Sequence, residues 1–292
     1  MKSSKAKYIF LLPAVIYLFS LTIYPFLYNL IYSLTNLDLT SPGQIDFVGF
    51  SNYIRLLTSS LFQVAVRNTI IMAVTSIFFE SVIGITVAKI FHRLSAQNLK
   101  GVKLVRTIYI LPMMVTPLVT GLLWSYIFNP TLGVANYFLS LLGIEPIGWL
   151  ASGSTALPSL IMVNVWQWTP FLMLFALAGL MNVPKQQYEA AIIDGASWYQ
   201  KIIYIELPQI KNILLIGIVL RLMENLRLFE LVYATTRGGP GDATEVISMF
   251  AYRQGFQFFN AGFAAAVSIF ILILGIVVAN LAIKFMAREG RV

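Results

Sequence analysis

The stretch Ala261–Met286, AGFAAAVSIFILILGIVVANLAIKFM, holds twenty-six residues and one charge, Lys284. As a helix it would extend about 39 Å, enough to cross a hydrocarbon core of about 30 Å. Backbone that crosses lipid must satisfy its own hydrogen bonds, so a stretch this long and apolar predicts a transmembrane helix. Five more segments meet the same test: Tyr8–Leu34, Asn68–Phe91, Val105–Phe128, Ala156–Leu180 and Ile213–Thr235. The expected fold is therefore all-α and polytopic, with six transmembrane helices. Residues 1–292 should form one transmembrane domain, with no repeat and no soluble domain.

Composition agrees. Of 292 residues 58% are hydrophobic and 11% charged, and mean hydropathy is +0.79, against about 25% charged residues in an ordinary soluble domain. The net charge of +8 could suggest nucleic acid, but the basic residues lie between apolar runs and form no stripe, so no nucleic-acid partner is expected. With no cysteine and one histidine, His92, thiolate chemistry and a histidine-rich metal site are excluded within the chain, and no metal is expected. Lys2, Lys5 and Lys7 precede an apolar run as in a secretory signal. That run contains Pro13 and Pro25 and has no small-residue cleavage site, which predicts a retained span.

Lysine and arginine placement predicts orientation. With the N-terminus in the cytoplasm, one side collects Lys2, Lys5, Lys7, Lys89, Arg93, Lys100, Lys103, Arg106, Lys185, Lys201, Lys211, Lys284, Arg288 and Arg291, and the other only Arg55, Arg67, Arg237 and Arg253. Fourteen against four follows the positive-inside rule, with both termini in the cytoplasm. This places Asn182–Pro208, NVPKQQYEAAIIDGASWYQKIIYIELP, inside the cell.

That loop spends nearly thirty residues where a few would connect two spans, and long ordered loops are usually functional. Pro184 can open a helix that Gly195 breaks. Ser197 and Gln200 have capping-box spacing for a second helix, which Leu207-Pro208 is expected to stop before the next span begins. On the outer side, the Ser41-Pro42-Gly43 turn and Phe47–Tyr53 suggest a short interfacial helix. Asn129–Thr155, which carries Trp149, suggests a folded loop.

Glu189-Ala190-Ala191, Asp194-Gly195-Ala196 and Ile205-x-Leu207-Pro208 together resemble the EAA loop of ABC importer permease subunits. The likeness continues through Phe47-Val48-Gly49-Phe50-Ser51-Asn52-Tyr53, Phe229-Glu230-Leu231-Val232-Tyr233, Gly238-Gly239-Pro240-Gly241 with Thr244-Glu245, and Tyr252-Arg253. In that order these segments are similar to the carbohydrate-type, maltose-permease-like branch of the family. The resemblance implies that Glu189–Gly195 is a coupling helix seated in an ATPase subunit, with Glu189 paired to a base there. It implies a second, similar permease subunit as a heterodimer partner, two ATPase subunits, an extracytoplasmic solute-binding protein and a prokaryotic inner membrane. Arg237, where the resembled pattern more often has Gly, becomes a candidate contact for the binding protein together with Gly238 and Gly239. No phosphate loop of the form G-x-x-x-x-G-K-[ST] occurs, so ATP and Mg are expected on the ATPase subunit and no cofactor or catalytic residue on this chain.

The fifth expected span carries Arg221, Glu224, Arg227 and Glu230 at intervals of three. An intramembrane charge costs about 3 kcal/mol on insertion scales and needs a reason. The four read as a self-neutralised ladder along one helix, as a wall of the substrate cavity, or as both. Asn164, Gln167 and Trp168 share a face of the fourth span, where an aromatic ring beside amides suits a sugar and equally suits helix packing; Pro170 should kink that span. Glu80 reads as a buried packing group. The Gly262/Ala266 and Gly275/Ala279 pairs read as helix-packing sites. The chain thus reads as one permease half of an importer for a sugar or polyol, working by alternating access and not an enzyme. Glycerol phosphate is the alternative solute, and a membrane-embedded enzyme or a channel the alternative class.

Overall fold

The computed structural model of the protein describes residues 3–289 except Pro42, Gln44 and Asn98; Lys2, Arg291 and the centre of the Ser41–Gly43 turn lie outside the described residues. The described residues are helical apart from loops and an isolated bridge between Thr35 and Phe47. Among the described residues five helical stretches are long and apolar enough to cross a membrane, and a bent helix pair brings the count up to six if the pair is one span.

In chain order, α1 (Ser3–Tyr32) is followed by a short α2 (Ser51–Thr58) and the long α3 (Ser60–Ala96). Next come α4 (Val102–Met114) and α5 (Pro117–Ile127), which meet at 97°. The third expected span is therefore a broken one. The residue before a proline is pushed out of the α region, and Thr116, ahead of Pro117, is extended at ψ 144°, as is Val115 at ψ 137°. The bend exposes the Val115 carbonyl, and the Gln167 amide donates to it at 2.8 Å.

After α6 (Val134–Leu141), α7 (Ala156–Met181) forms the most enclosed span, 67% of it buried within the chain, and it stays helical through Pro170. Then α8 (Lys185–Ile193) and α9 (Trp198–Lys201) lead through a π-helical turn, Ile202–Glu206, into α10 (Leu207–Asn225). Leu207-Pro208 opens α10, as the sequence predicts, but does not stop the helical stretch before it. The wide turn, in which the Leu207 N–H donates to the Ile202 carbonyl, lets the helix carry on past Pro208 without the usual clash.

The fifth expected span also ends early. Past Asn225 the backbone bonds tighten, Arg227 to Glu224 and Leu228 to Asn225, and the Asn225 amide takes the Arg221 carbonyl at 3.0 Å. Glu230 then begins a separate α11 (Glu230–Thr235), and Arg227 lies in the turn between. After α12 (Ile247–Tyr252), α13 (Ala261–Glu289) closes the chain.

Contacts group the chain into two units. One comprises the residues up to Gln63 with Phe250–Leu274. In it the Asn52 amide donates to the Ser33 and Thr35 carbonyls, at 2.9 and 2.8 Å, and pins α2 to the end of α1. Gly262 packs against that same backbone: an added Cβ would sit 2.4 Å from the Thr35 oxygen.

The other unit, Val64–Met249 with the segment from Gly275, holds the core of α3, α7 and α10. Ala88, Phe91, Met173, Ala176, Leu177, Leu180, Ile210 and Leu214 form its buried centre. Close approach of α7 and α10 depends on Gly179, whose missing Cβ leaves room for Ile210 and Ile213, and on Gly217 against Phe175. Outside the core, the Asn136 amide side chain organises residues 130–149, donating to the Pro130 and Ile147 carbonyls and accepting from Trp149, whose ring stacks on Phe128 at 5.0 Å.

Because the neighbour of Gly262 is backbone and not a side chain that can rotate away, Gly262→Ala should destabilise the protein by about 1–3 kcal/mol. Thermal unfolding of the purified chain in detergent reads this as a lower midpoint; an unchanged midpoint would refute the close approach.

Candidate functional site

One turn before the C-terminal end of α10 the side chain of Arg221 is 1% exposed. An unpaired cation there would be prohibitive, and each face of the guanidinium is occupied. Glu80 of α3 accepts two parallel bonds, from Nε and Nη2, both 2.9 Å long, in the fork geometry that favours arginine. Nη1 donates to Glu224 Oε2 at 2.7 Å, and the Trp168 ring lies 4.4 Å from the guanidinium carbon. Asn164 completes the shell: its Oδ1 is 3.5 Å from Nη2, and its amide donates to Asn225 Oδ1 at 2.9 Å.

The sequence candidates thus divide by burial. Asn164, Gln167 and Arg221 are enclosed. Trp168 is half-buried, and Glu224 is 44% exposed even while bonded to Arg221. Arg227 and Glu230 are exposed. A four-membered ladder along one helix does not form, because α10 ends at Asn225; only the Arg221–Glu224 rung lies on it. Glu80 is an ion-pair partner, a role richer than the packing hydrogen bond read from sequence, and it comes from 141 residues away. Only its position inside an apolar span signalled that it needed a cation.

The Asn182–Pro208 loop has an exposed outer face of mixed apolar and acidic character and an anchored inner one. Pro184 caps α8, and Asp194 and Gly195 end it, Gly195 at φ +65°. Nothing lies within 4 Å of a Cβ placed there, so glycine is required by conformation and not by crowding. Ser197 starts α9 with its backbone N–H and hydroxyl both donating to Gln200 Oε1, at 2.7 and 2.8 Å. Glu189, Ala190 and Asp194 are exposed, Ala191 is buried, Ala196 and Leu207 are half-buried and Pro208 is exposed. Beside them Ile193 is 87% and Trp198 75% exposed. These two apolar residues escaped the sequence reading, which searched the loop for charge and turn signals.

The inner face converges on Glu206, at the end of the π turn. Lys89 Nζ of α3 lies 2.8 Å from Glu206 Oε2, and the Tyr188 hydroxyl of α8 donates to Oε1 at 3.5 Å. Burial, and then the neighbouring carboxylate, push the Tyr188 phenol up to about 12, so it keeps its proton at physiological pH.

At the opposite end of α11, Arg237 is exposed at φ 51° with its guanidinium 5.6 Å from the Tyr233 ring, Gly238 is buried and Gly239 half-buried. The Asn68 amide of α3 secures the following loop by donating to the carbonyls of Asp242, Ala243 and Glu245.

Comparison with known proteins places this geometry. Residues 80–291 match the family described as binding-protein-dependent transport system inner membrane component. The chain is 32% identical over 290 residues to the trehalose/maltose transport system permease protein MalF of Thermococcus litoralis, covering 99% of this chain and 96% of that one. It is 30% identical over 293 residues to the trehalose transport system permease protein SugA of Mycobacterium tuberculosis, covering 99% and 91%. Among solved structures it resembles a chain of a bacterial alginate ABC transporter in complex with an alginate pentasaccharide-bound periplasmic protein. There the TM-score is 0.85 at 26% identity, over 99% of this chain and 96% of that one.

Removing one partner of a buried pair leaves the other charge stranded, so Glu80→Ala should cost about 3–5 kcal/mol of stability. Glu224→Gln, at a half-exposed position that keeps an acceptor oxygen, should cost far less. Unfolding midpoints of the two variants test the division; equal losses would contradict it.

Proposed function

Because the chain belongs to the family of binding-protein-dependent transport system inner membrane components, we propose that it forms one permease half of a carbohydrate importer, with Asn182–Pro208 as its handle on an ATPase subunit. It is a membrane-embedded ABC permease subunit and not an enzyme. The observation that carries the docking role is the exposed apolar and acidic surface of α8 and α9: Glu189, Asp194, Ile193 and Trp198 all face outward on a loop whose other side is anchored. Large apolar side chains left exposed beside charges, on a loop between spans, suit a protein partner.

In this reading Asn182–Pro208 faces the cytoplasm, as the lysine and arginine distribution favours, and both termini lie on that side. ATP and Mg bind the two ATPase subunits, an extracytoplasmic binding protein delivers the solute beside Arg237 and Gly239, and a second, similar permease closes the cavity. Glu224, Trp168, Arg227 and Glu230 present the groups that touch a sugar: a carboxylate and a guanidinium for hydroxyls, and an indole face for C–H bonds. Asn164, Gln167 and Arg221 hold that wall in place.

Force from the handle has a short route inward. Glu206 joins α8, through Tyr188, to α3, through Lys89, and α3 is paired again with α10 through Glu80 and Arg221. The two ion pairs have opposite polarity, acid to base in one and base to acid in the other. A slide of α10 along α3 would pull both pairs apart, so they resist relative movement of the two helices.

Reconstitution of the chain with its partner subunits and binding protein tests the function: ATPase activity should rise with one or a few members of a saccharide panel, and stimulation only by glycerol phosphate would refute the carbohydrate reading. Glu189→Ala and Gly195→Val should insert normally yet uncouple ATP hydrolysis from uptake, and normal uptake by both would sink the docking role. Lys89→Glu and Glu206→Lys should each lower uptake by about fivefold or more. The double swap should restore it; a double variant no better than the singles would argue against the ion pair as a link.

A further inference from the structure

Three spans end at one place. Ser95 closes the α3 span, Val102 opens α4 and Met181 closes α7, and all three line a cavity of about 460 Å³ with Leu99, Lys100, Gly101, Lys103 and Arg106. Three of the lining residues are cationic and none is acidic. Lys100 and Lys103 are exposed and Arg106 is half-buried. Helix α4 begins here at Gly101 with no side-chain cap and no acidic residue in its first turn, so its leading N–H groups add to the positive field.

Where spans terminate, the surroundings change from acyl chain to headgroup. The cavity wall itself sets these cations beside Leu99 and Met181, 49% and 67% exposed, and cations next to exposed apolar side chains match an amphiphile with a phosphate and acyl chains better than a free anion, which would have no use for the apolar wall.

We propose that this cavity binds the phosphate headgroup of an anionic phospholipid, with Lys100, Lys103 and Arg106 as its ligands and Leu99 and Met181 beside the acyl chain. The site needs only that three spans end there, and is independent of the solute carried. It adjoins the core packing of α3, α4 and α7, since Val102 and Tyr109 pack on the buried cluster containing Phe91 and Leu180. An occupied headgroup would tie the three span ends together.

The test is native mass spectrometry of the full chain in its importer complex, released from nanodiscs made with phosphatidylglycerol or with phosphatidylcholine alone. The wild type should retain phosphatidylglycerol and not phosphatidylcholine. Lys100→Gln with Lys103→Gln and Arg106→Gln should weaken that retention on the order of a hundredfold, while Lys7→Gln with Lys284→Gln, which neutralises two other basic residues, should leave it intact. The charge-conserving Lys100→Arg, Lys103→Arg, Arg106→Lys variant should retain the lipid and so separates lost charge from lost folding. Equal retention by wild type and triple-glutamine variant, or equal loss in the Lys7/Lys284 control, would overturn the site. Displacement of the lipid by millimolar inorganic phosphate would assign the site to a free anion. Loss of the ATPase subunit from the triple-glutamine variant with lipid retention unchanged would assign it to a protein contact. Either result would overturn the lipid proposal.

Discussion

A guanidinium sealed inside a membrane chain dictates much of what surrounds it. A buried Arg221 cannot be left without counter-charge, and two carboxylates, an amide and an indole converge on it from α3, α7 and its own helix. Each partner is thereby fixed in rotamer and depth. Asn225, bonded to both Asn164 and the Arg221 carbonyl, helps end α10, so the helix stops where the polar shell ends. One buried charge therefore specifies the packing of three helices and the point at which the fifth span unwinds toward Arg227 and Glu230.

The same logic holds the exposed residues of the cluster from one side only. Glu224 has one oxygen on Arg221 and is still 44% exposed, so its orientation is set from behind while its outer side stays available. Preorganised groups of this kind lose little freedom on binding. Near the other end of α10 the π turn plays a comparable part. It widens the helix ahead of Pro208, keeps α9 and α10 continuous, and leaves Glu206 where Lys89 and Tyr188 can both reach it. A helix break at Leu207-Pro208 would have left a flexible joint between loop and span; the continuous helix joins them rigidly.

Much of this was legible in the chain itself. The six apolar segments, the capped two-helix loop and the need for partners around charges in the fifth span follow from hydropathy, turn chemistry and the cost of burying charge. The EAA-like residues added the family. Three expectations failed for local reasons that pattern reading weighs poorly: Pro117 bends a span whose composition is uniformly apolar, Pro208 is absorbed by a wider helical turn, and Asn225 stops a helix that hydropathy would extend. Ile193 and Trp198 were passed over because apolar residues in a membrane chain attract no notice until their surroundings are known.

What the sequence determined by itself is the fold class and the family, because both rest on properties that run along the chain: length of apolar run, spacing of caps, order of motifs. What only the tertiary structure decided is which polar residues support and which are presented. Glu80 and Arg221 stand 141 positions apart, as Lys89 and Glu206 stand 117, and no periodicity links them. Their pairing follows from α3 and α10 both packing on α7, through close contacts at Gly84 between α3 and α7 and at Gly179 and Gly217 between α7 and α10. Burial then separates Arg221, enclosed on every side, from Arg227, six residues on and open to solvent, although the chain writes them with the same letter.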